Sequence, residues 1–476
     1  MNSSTAGFGA ELESLLRPSP AEAAIIAMAV LLGVSFAMPG AAAAVVLAVG
    51  FVIFSALRVD ALLYGMVLFL PILGVIADLP LALRDISALL RFAMLFGLLL
   101  GCLARGESIR AWVFRPRLNH IIAFYCAAML LSLAVNQISL WSERDLFRWF
   151  SYLALYLAVS GWVRTRKQLR RVLLALAIST AFVCLFGLYQ SISSGYTDLY
   201  FRIYPLHEEE LEPWVGRVTS FLGHFNSLAG YLNLVLPFSM ATALIERGKV
   251  RLLGGLGFSG GVFVLVLTQS RGGLVAFVAG LLLGVFCLIR NPKRRLAVLV
   301  ALLVVALAMA PVLADYSQRF SQVDEVTLLG RLGIYLSAWN LFLSSPVLGH
   351  GFGNFRYLYD PVLALAPVGL LDAHNLYLKA MAETGLVGTS LFLYLIYTIV
   401  CIASTQFRRP QCRLDSILGF SLMAGVTTVL VHGFVDTLFE ASPQFGALFW
   451  LLVGLLVANE RLRTSPAAPD SAAVAA

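Results

Sequence analysis

Apolar stretches of about 20 residues recur along this chain from residue 21 to residue 459, broken only by short polar punctuation, and no other feature narrows its fold as far. A bilayer core about 30 Å thick takes about that many apolar residues per helical crossing. In hydrocarbon a lone segment can satisfy its own backbone only as a helix. With 60% of its 476 residues hydrophobic and 13% charged, the chain falls well short of the roughly 25% charge of a water-facing globule. The expected fold is all-α: a polytopic membrane protein with about 12–14 transmembrane helices and a long outer loop carrying short helices.

The spacing predicts spans at 21–37, 41–57, 61–77, 88–104, 119–135, 146–163, 170–191, 224–245, 251–268, 272–290, 296–313, 382–404, 414–434 and 443–459. Glu11 and Glu13, rather than a basic segment, precede the first stretch, so no cleaved signal peptide is expected. Short basic loops stay in the cytoplasm, and here Arg105 to Arg117, Arg164 to Arg171, Arg247 to Arg251, Arg290 to Arg295, Arg408 to Arg413, Arg461 and Arg463 all fall on one side of the alternating count. That side holds 23 of the 34 basic and 9 of the 26 acidic residues, a net +14, against −6 on the other. Both chain ends are therefore expected in the cytoplasm.

The implied organisation is a cytoplasmic segment 1–20, eleven spans over 21–313 that include an outer loop 192–223, a large outer loop 314–381, three spans over 382–459, and a disordered tail 460–476. Loops this long in a compact membrane domain are usually functional. The first carries Trp214 and four acids between Glu208 and Glu212; the second contains candidate interfacial helices at Gly330 to Leu343 and His374 to Glu383. All six cysteines lie in spans or on the cytoplasmic side, so no disulfide framework is expected to secure the outer loops.

Five of the six histidines (His207, His224, His350, His374 and His432) fall on the non-cytoplasmic face, with arginines in unusual settings. Arg217 stands just before Gly223-His224-Phe225-Asn226, and Arg271 sits in the tight turn Ser270-Arg271-Gly272-Gly273. A guanidinium is an always-charged bidentate partner for a diphosphate, and adjacent glycines let backbone N–H groups approach. The competing reading of Arg271 is an arginine that anchors a helix end. His374, in Asp372-Ala373-His374-Asn375, opens an amphipathic entry into the next span. An imidazole there can take a proton from a sugar hydroxyl, with Asp372 or Glu383 to orient it; equally, it can cap the helix. A metal site of His350, Asp372 and His374 lacks any established ligand spacing.

The order of these motifs resembles the O-antigen ligase and polymerase superfamily of bacterial membrane glycosyltransferases. The matching residues run from Arg217 with Gly223-His224-Phe225-Asn226, through Ser270-Arg271-Gly272 and Gly330-Arg331, to Gly349-His350-Gly351-Phe352-Gly353-Asn354, His374-Asn375 and Glu383-Thr384-Gly385. His224-Phe225-Asn226 departs from the family's frequent proline before the asparagine. The resemblance implies a multi-pass protein of the bacterial inner membrane with a periplasmic active site. It would be an inverting transferase that moves a glycan from undecaprenyl diphosphate to an acceptor sugar hydroxyl. It also implies O-antigen ligase action on lipid A-core, with the Wzy-type polymerase as alternative, and neither metal nor other cofactor. Carried over, Arg217 and Arg271 would hold the diphosphate and His374 would act as base, while Arg331, Glu383, Asn375 and His350 would contact substrate. Two other classes stand against this reading. A transporter of lipid-linked sugar predicts broken helices and charges at mid-bilayer, and a membrane scaffold would make the polar outer cluster incidental.

Overall fold

The computed structural model describes residues 59–72, 86–104, 116–136, 139–193, 217–289, 291–297, 299–300, 329–364 and 372–464. The expected spans 21–37 and 41–57, most of 296–313, the acidic outer segment with Trp214, and the tail beyond 464 lie outside these residues. The protein is an all-α membrane bundle. Among the described residues its longer helices are α1 (Val59–Phe69), α2 (Ile86–Ala104), α3 (Arg117–Ala134), α4 (Leu140–Trp162), α5 (Arg166–Ile192), α6 (Phe225–Ile245), α7 (Gly248–Leu267) and α8 (Arg271–Leu288). There follow α9 (residues 329–344), α10 (Leu376–Arg408), α11 (Arg413–His432) and α12 (Pro443–Thr464). Among the described residues eight helices, α3, α5 to α8 and α10 to α12, are long and apolar enough to cross a membrane.

Two helices start earlier than hydropathy alone suggests, because caps and not apolar runs begin them. The span expected from residue 146 begins at Leu140, where the Ser139 hydroxyl accepts the Ser142 N–H at 3.1 Å; a capping oxygen satisfies one of the orphan donors of a helix start. The interfacial helix and the span expected from residue 382 are one element, α10, capped by Asn375 and broken at Gly385. Gly385 has φ 59° and ψ −163°, a region open essentially to glycine alone. A Cβ there would also collide with the Val347 carbonyl. Gly385→Ala is expected to cost about 1–3 kcal/mol from backbone strain before the collision is added. A lower unfolding temperature in detergent would register it, and wild-type heat resistance would remove the kink's special status.

The core centres on α12, the most enclosed span, which packs against α4 through Trp149, Tyr152, Tyr156 and Trp450. Around it α6 packs on α7 and α11, α8 on α11, and α10 on α3 and α11. One end of the bundle is tied by buried Asp415, which pairs with Arg166 and with Arg463 at 3.2 Å and accepts from Asn459. Those residues begin α5 and α11 and end α12. At the opposite end lie the last turns of α5, α7 and α11, the first turns of α6, α8 and α10, and α9.

Candidate functional site

Three arginines converge at that opposite end. Arg217 is held against the turn between α7 and α8: its Nη2 donates to the Gln269 carbonyl at 2.8 Å, its Nε to Thr268 at 3.4 Å, and its face lies 3.3 Å from the centroid of the Phe225 ring. Gln190, near the end of α5, fixes the strand behind it by accepting the N–H groups of Thr219 and Ser220 at 3.1 and 2.9 Å. Burial lowers the Arg217 pKa to about 10, and the like charges of Arg271 and Arg331 push it the same way. Like charges gathered in one place mark a site where an anion relieves repulsion.

The His224-Phe225-Asn226 turn has a definite role. His224 caps α6, its Nδ1 accepting the Asn226 N–H at 3.0 Å, while the Asn226 Oδ1 accepts the hydroxyl of Ser270, the cap of α8. One turn thus locks the start of α6 to the start of α8, where Arg271 stands. A Cβ on Gly272 would strike Val435 and crowd the His432 ring, so its smallness serves helix packing.

His374 sits at the mouth of α10 with φ 47°, a left-handed conformation uncommon for a non-glycine residue and costing of order 1–3 kcal/mol. Its neighbours hold it there. The Tyr335 hydroxyl of α9 donates to the His374 carbonyl at 3.2 Å, Asn375 Nδ2 donates to the Phe434 carbonyl at 3.1 Å, and the Leu376 N–H to the Gly433 carbonyl at 2.7 Å. Its Nδ1 faces Asp436 Oδ1 at 3.8 Å. Asp436 lies in the loop after α11, buried, accepting the Thr437 N–H at 2.8 Å. Burial alone would raise its pKa, but His374, His432 and His224 outweigh that and hold the carboxyl below its ordinary value. His224 feels Asp436, Arg217, His374 and His432 together and is pushed down to about 4, chiefly by burial, so its imidazole is neutral near pH 7. The imidazole, carboxylate and guanidinium groups therefore share one end of the bundle and act on one another's charge.

The other expected contacts each have partners within the protein. Asn375 is the cap of α10, accepting from Tyr377 and Leu378. His350 Nε2 pairs with the Ser344 hydroxyl at 2.8 Å and the Leu341 carbonyl at 3.0 Å. Glu383 is buried, accepting the Phe355 N–H at 3.1 Å, with Lys379 Nζ 3.9 Å away. Asp372 pairs with Lys379 at 3.0 Å and Arg356 at 3.3 Å. Asp372 and Glu383 thus face cations and backbone, and the carboxylate turned toward His374 is Asp436. For the same reason His350, Asp372 and His374 do not assemble as a metal-ligand set. Gly349, Gly351 and Gly353, all at positive φ, bring this loop onto the backbone at Glu383, where the Gly351 N–H donates to the Glu383 carbonyl at 2.9 Å.

The family model Wzy_C, described as O-Antigen ligase, matches residues 256–393. Over these residues the chain is similar to the O-antigen ligase and polymerase superfamily. The matched region carries Arg271, Arg331, His350, His374, Asn375 and Glu383. Arg217 precedes it and Asp436 follows it; the fold brings both to the same end. The chain is also similar to the teichuronic acid biosynthesis protein TuaE of Bacillus subtilis (strain 168), 23% identical over 340 residues, and spans 66% of that relative's length, just under two thirds, as the match covers 66% of its own.

Proposed function

We propose that this protein is a member of the O-antigen ligase and polymerase superfamily, an inverting membrane glycosyltransferase that moves a glycan from undecaprenyl diphosphate to an acceptor sugar hydroxyl at the periplasmic face of the bacterial inner membrane. The observation that carries this reading is the convergence of Arg217, Arg271 and Arg331 beside an imidazole backed by a carboxylate. The acceptor oxygen attacks the anomeric carbon, the carbon–oxygen bond to the diphosphate breaks with its electron pair leaving on that group, and the acceptor proton passes to His374. With Nδ1 toward Asp436, Nε2 is the nitrogen that takes it. The 3.8 Å separation exceeds a hydrogen bond, and catalytic contacts of this kind are often long before substrate binds. The arginines meet the charge that grows on the leaving group, and no step needs a metal or other cofactor.

The family model's description, O-Antigen ligase, supports the ligase reading, for which we propose lipid A-core as the acceptor. The relative's link to teichuronic acid biosynthesis keeps the Wzy-type polymerase as the second reading. Surface polysaccharide from a deletion strain separates them on a gel. Long chains left unattached to core are expected for the ligase, and a single repeat on core for the polymerase. Unchanged polysaccharide in the deletion strain would count against both, leaving transport or scaffolding.

A further inference from the structure

Helix α9 lies in the long outer loop, yet most of its exposed positions are apolar, Asn340 and Ser344 being the polar ones. Leu329, Leu332, Leu336, Trp339 and Leu343 are 59, 49, 55, 42 and 57% exposed, and their spacing of three and four residues puts them on one face of a helix. The opposite face, with Ile334 and Ala338, is buried against the loop's own small core. A stripe of this kind facing water would be costly at about 25 cal/mol per Å² of apolar surface.

The stripe does not end with the helix. Val347 follows it, 59% exposed, and the Pro346 and Val347 carbonyls accept the N–H groups of Leu386 and Val387, where α10 resumes beyond its kink. Leu386 and Val387 are themselves exposed, and the same side of α10 continues through Leu393, Tyr394 and Tyr397, 44, 54 and 63% exposed. That side belongs to a membrane-length helix. The apolar face of α9 is thus continuous with a surface that lies against lipid.

We infer that α9 is an in-plane interfacial helix whose Leu329–Leu343 stripe is embedded in the acyl chains of the bilayer leaflet on the site's side. Amphipathic helices bind membranes this way, with tryptophan near the headgroup level. Arg331 and Tyr335 flank the stripe toward the site: Arg331 acts on Arg217, and Tyr335 donates to the His374 carbonyl. The helix therefore sets the height of His374 and the arginines at the depth where a lipid's phosphates lie. The inference rests on the membrane-spanning fold and not on the transfer chemistry.

Trp339 provides the test. The protein is reconstituted in phosphatidylcholine vesicles with and without acyl-brominated lipid, and the fluorescence of Trp339→Phe is subtracted from that of wild type, which has 7 tryptophans. The Trp339 component is expected to lose intensity with brominated lipid and to resist aqueous iodide. Quenching by iodide alone would mean that the stripe faces water. Quenching by neither would mean that protein, a second copy or another segment of this chain, covers it; both results overturn the inference. Because the readout is independent of activity, it can fail while the transferase reading stands, and the reverse.

Discussion

Replacing His374 by alanine is expected to lower the rate of glycan transfer by about 10²- to 10⁴-fold, the range a positioned general base supplies. Asp436→Asn should fall part of the way. The asparagine keeps an acceptor oxygen for the Thr437 N–H, which donates at 2.8 Å, but loses the negative charge that stabilises a protonated His374. If Asp436 works through His374, the two losses do not add: in the His374→Ala background, Asp436→Asn costs little more. A merely structural Asp436 would instead give independent losses and reduced protein in the membrane. The measurement is single-turnover transfer from a lipid-linked donor in proteoliposomes at matched protein amounts. Wild-type rates in His374→Ala would end the base assignment.

That pairing also shows where the sequence stops being legible. The membrane-spanning helices follow from hydropathy because lipid imposes one solution on every apolar stretch, and α5, α6 and α12 lie close to the expected limits. Caps are less visible: Ser139 and Asn375 start α4 and α10 ahead of the apolar runs, since one side-chain oxygen decides the boundary. Arg217 and Arg271 stand out because a charge beside the bilayer is expensive. Asp436 is less conspicuous, being 62 residues beyond His374 in chain order, and the acids at 372 and 383 are nearer in sequence. The signal available was His432-Gly433-Phe434-Val435-Asp436, an acid and a histidine just past a span on the same face. Only the packing of α10 on α11 brings that loop to His374. Sequence spacing also could not show which partners His350 and Asn375 take within the protein, because a cap and a ligand use the same residue types.

The arginines carry the second large effect. Arg271→Ala is expected to lower transfer by about 10²- to 10³-fold, the cost of losing one preorganised donor to a developing negative charge. Arg271→Lys tests why: a lysine keeps the charge but not the planar fork that matches two phosphate oxygens, so it too should be strongly impaired, and full activity would show that charge alone matters. Arg217→Lys differs in its physical content. The guanidinium there also donates to the Thr268 and Gln269 carbonyls and lies on the Phe225 ring, so it shapes the turn from which Arg271 projects. An ammonium cannot reproduce that fork, and the substitution should impair both the anion contact and the turn, visible as a lower unfolding temperature together with the rate loss. Arg271, exposed at the first position of α8, should lose rate at nearly constant stability. If both variants lose rate and stability in equal proportion, the cluster is a packing device; if Arg271 loses rate alone, it acts on the substrate's charge.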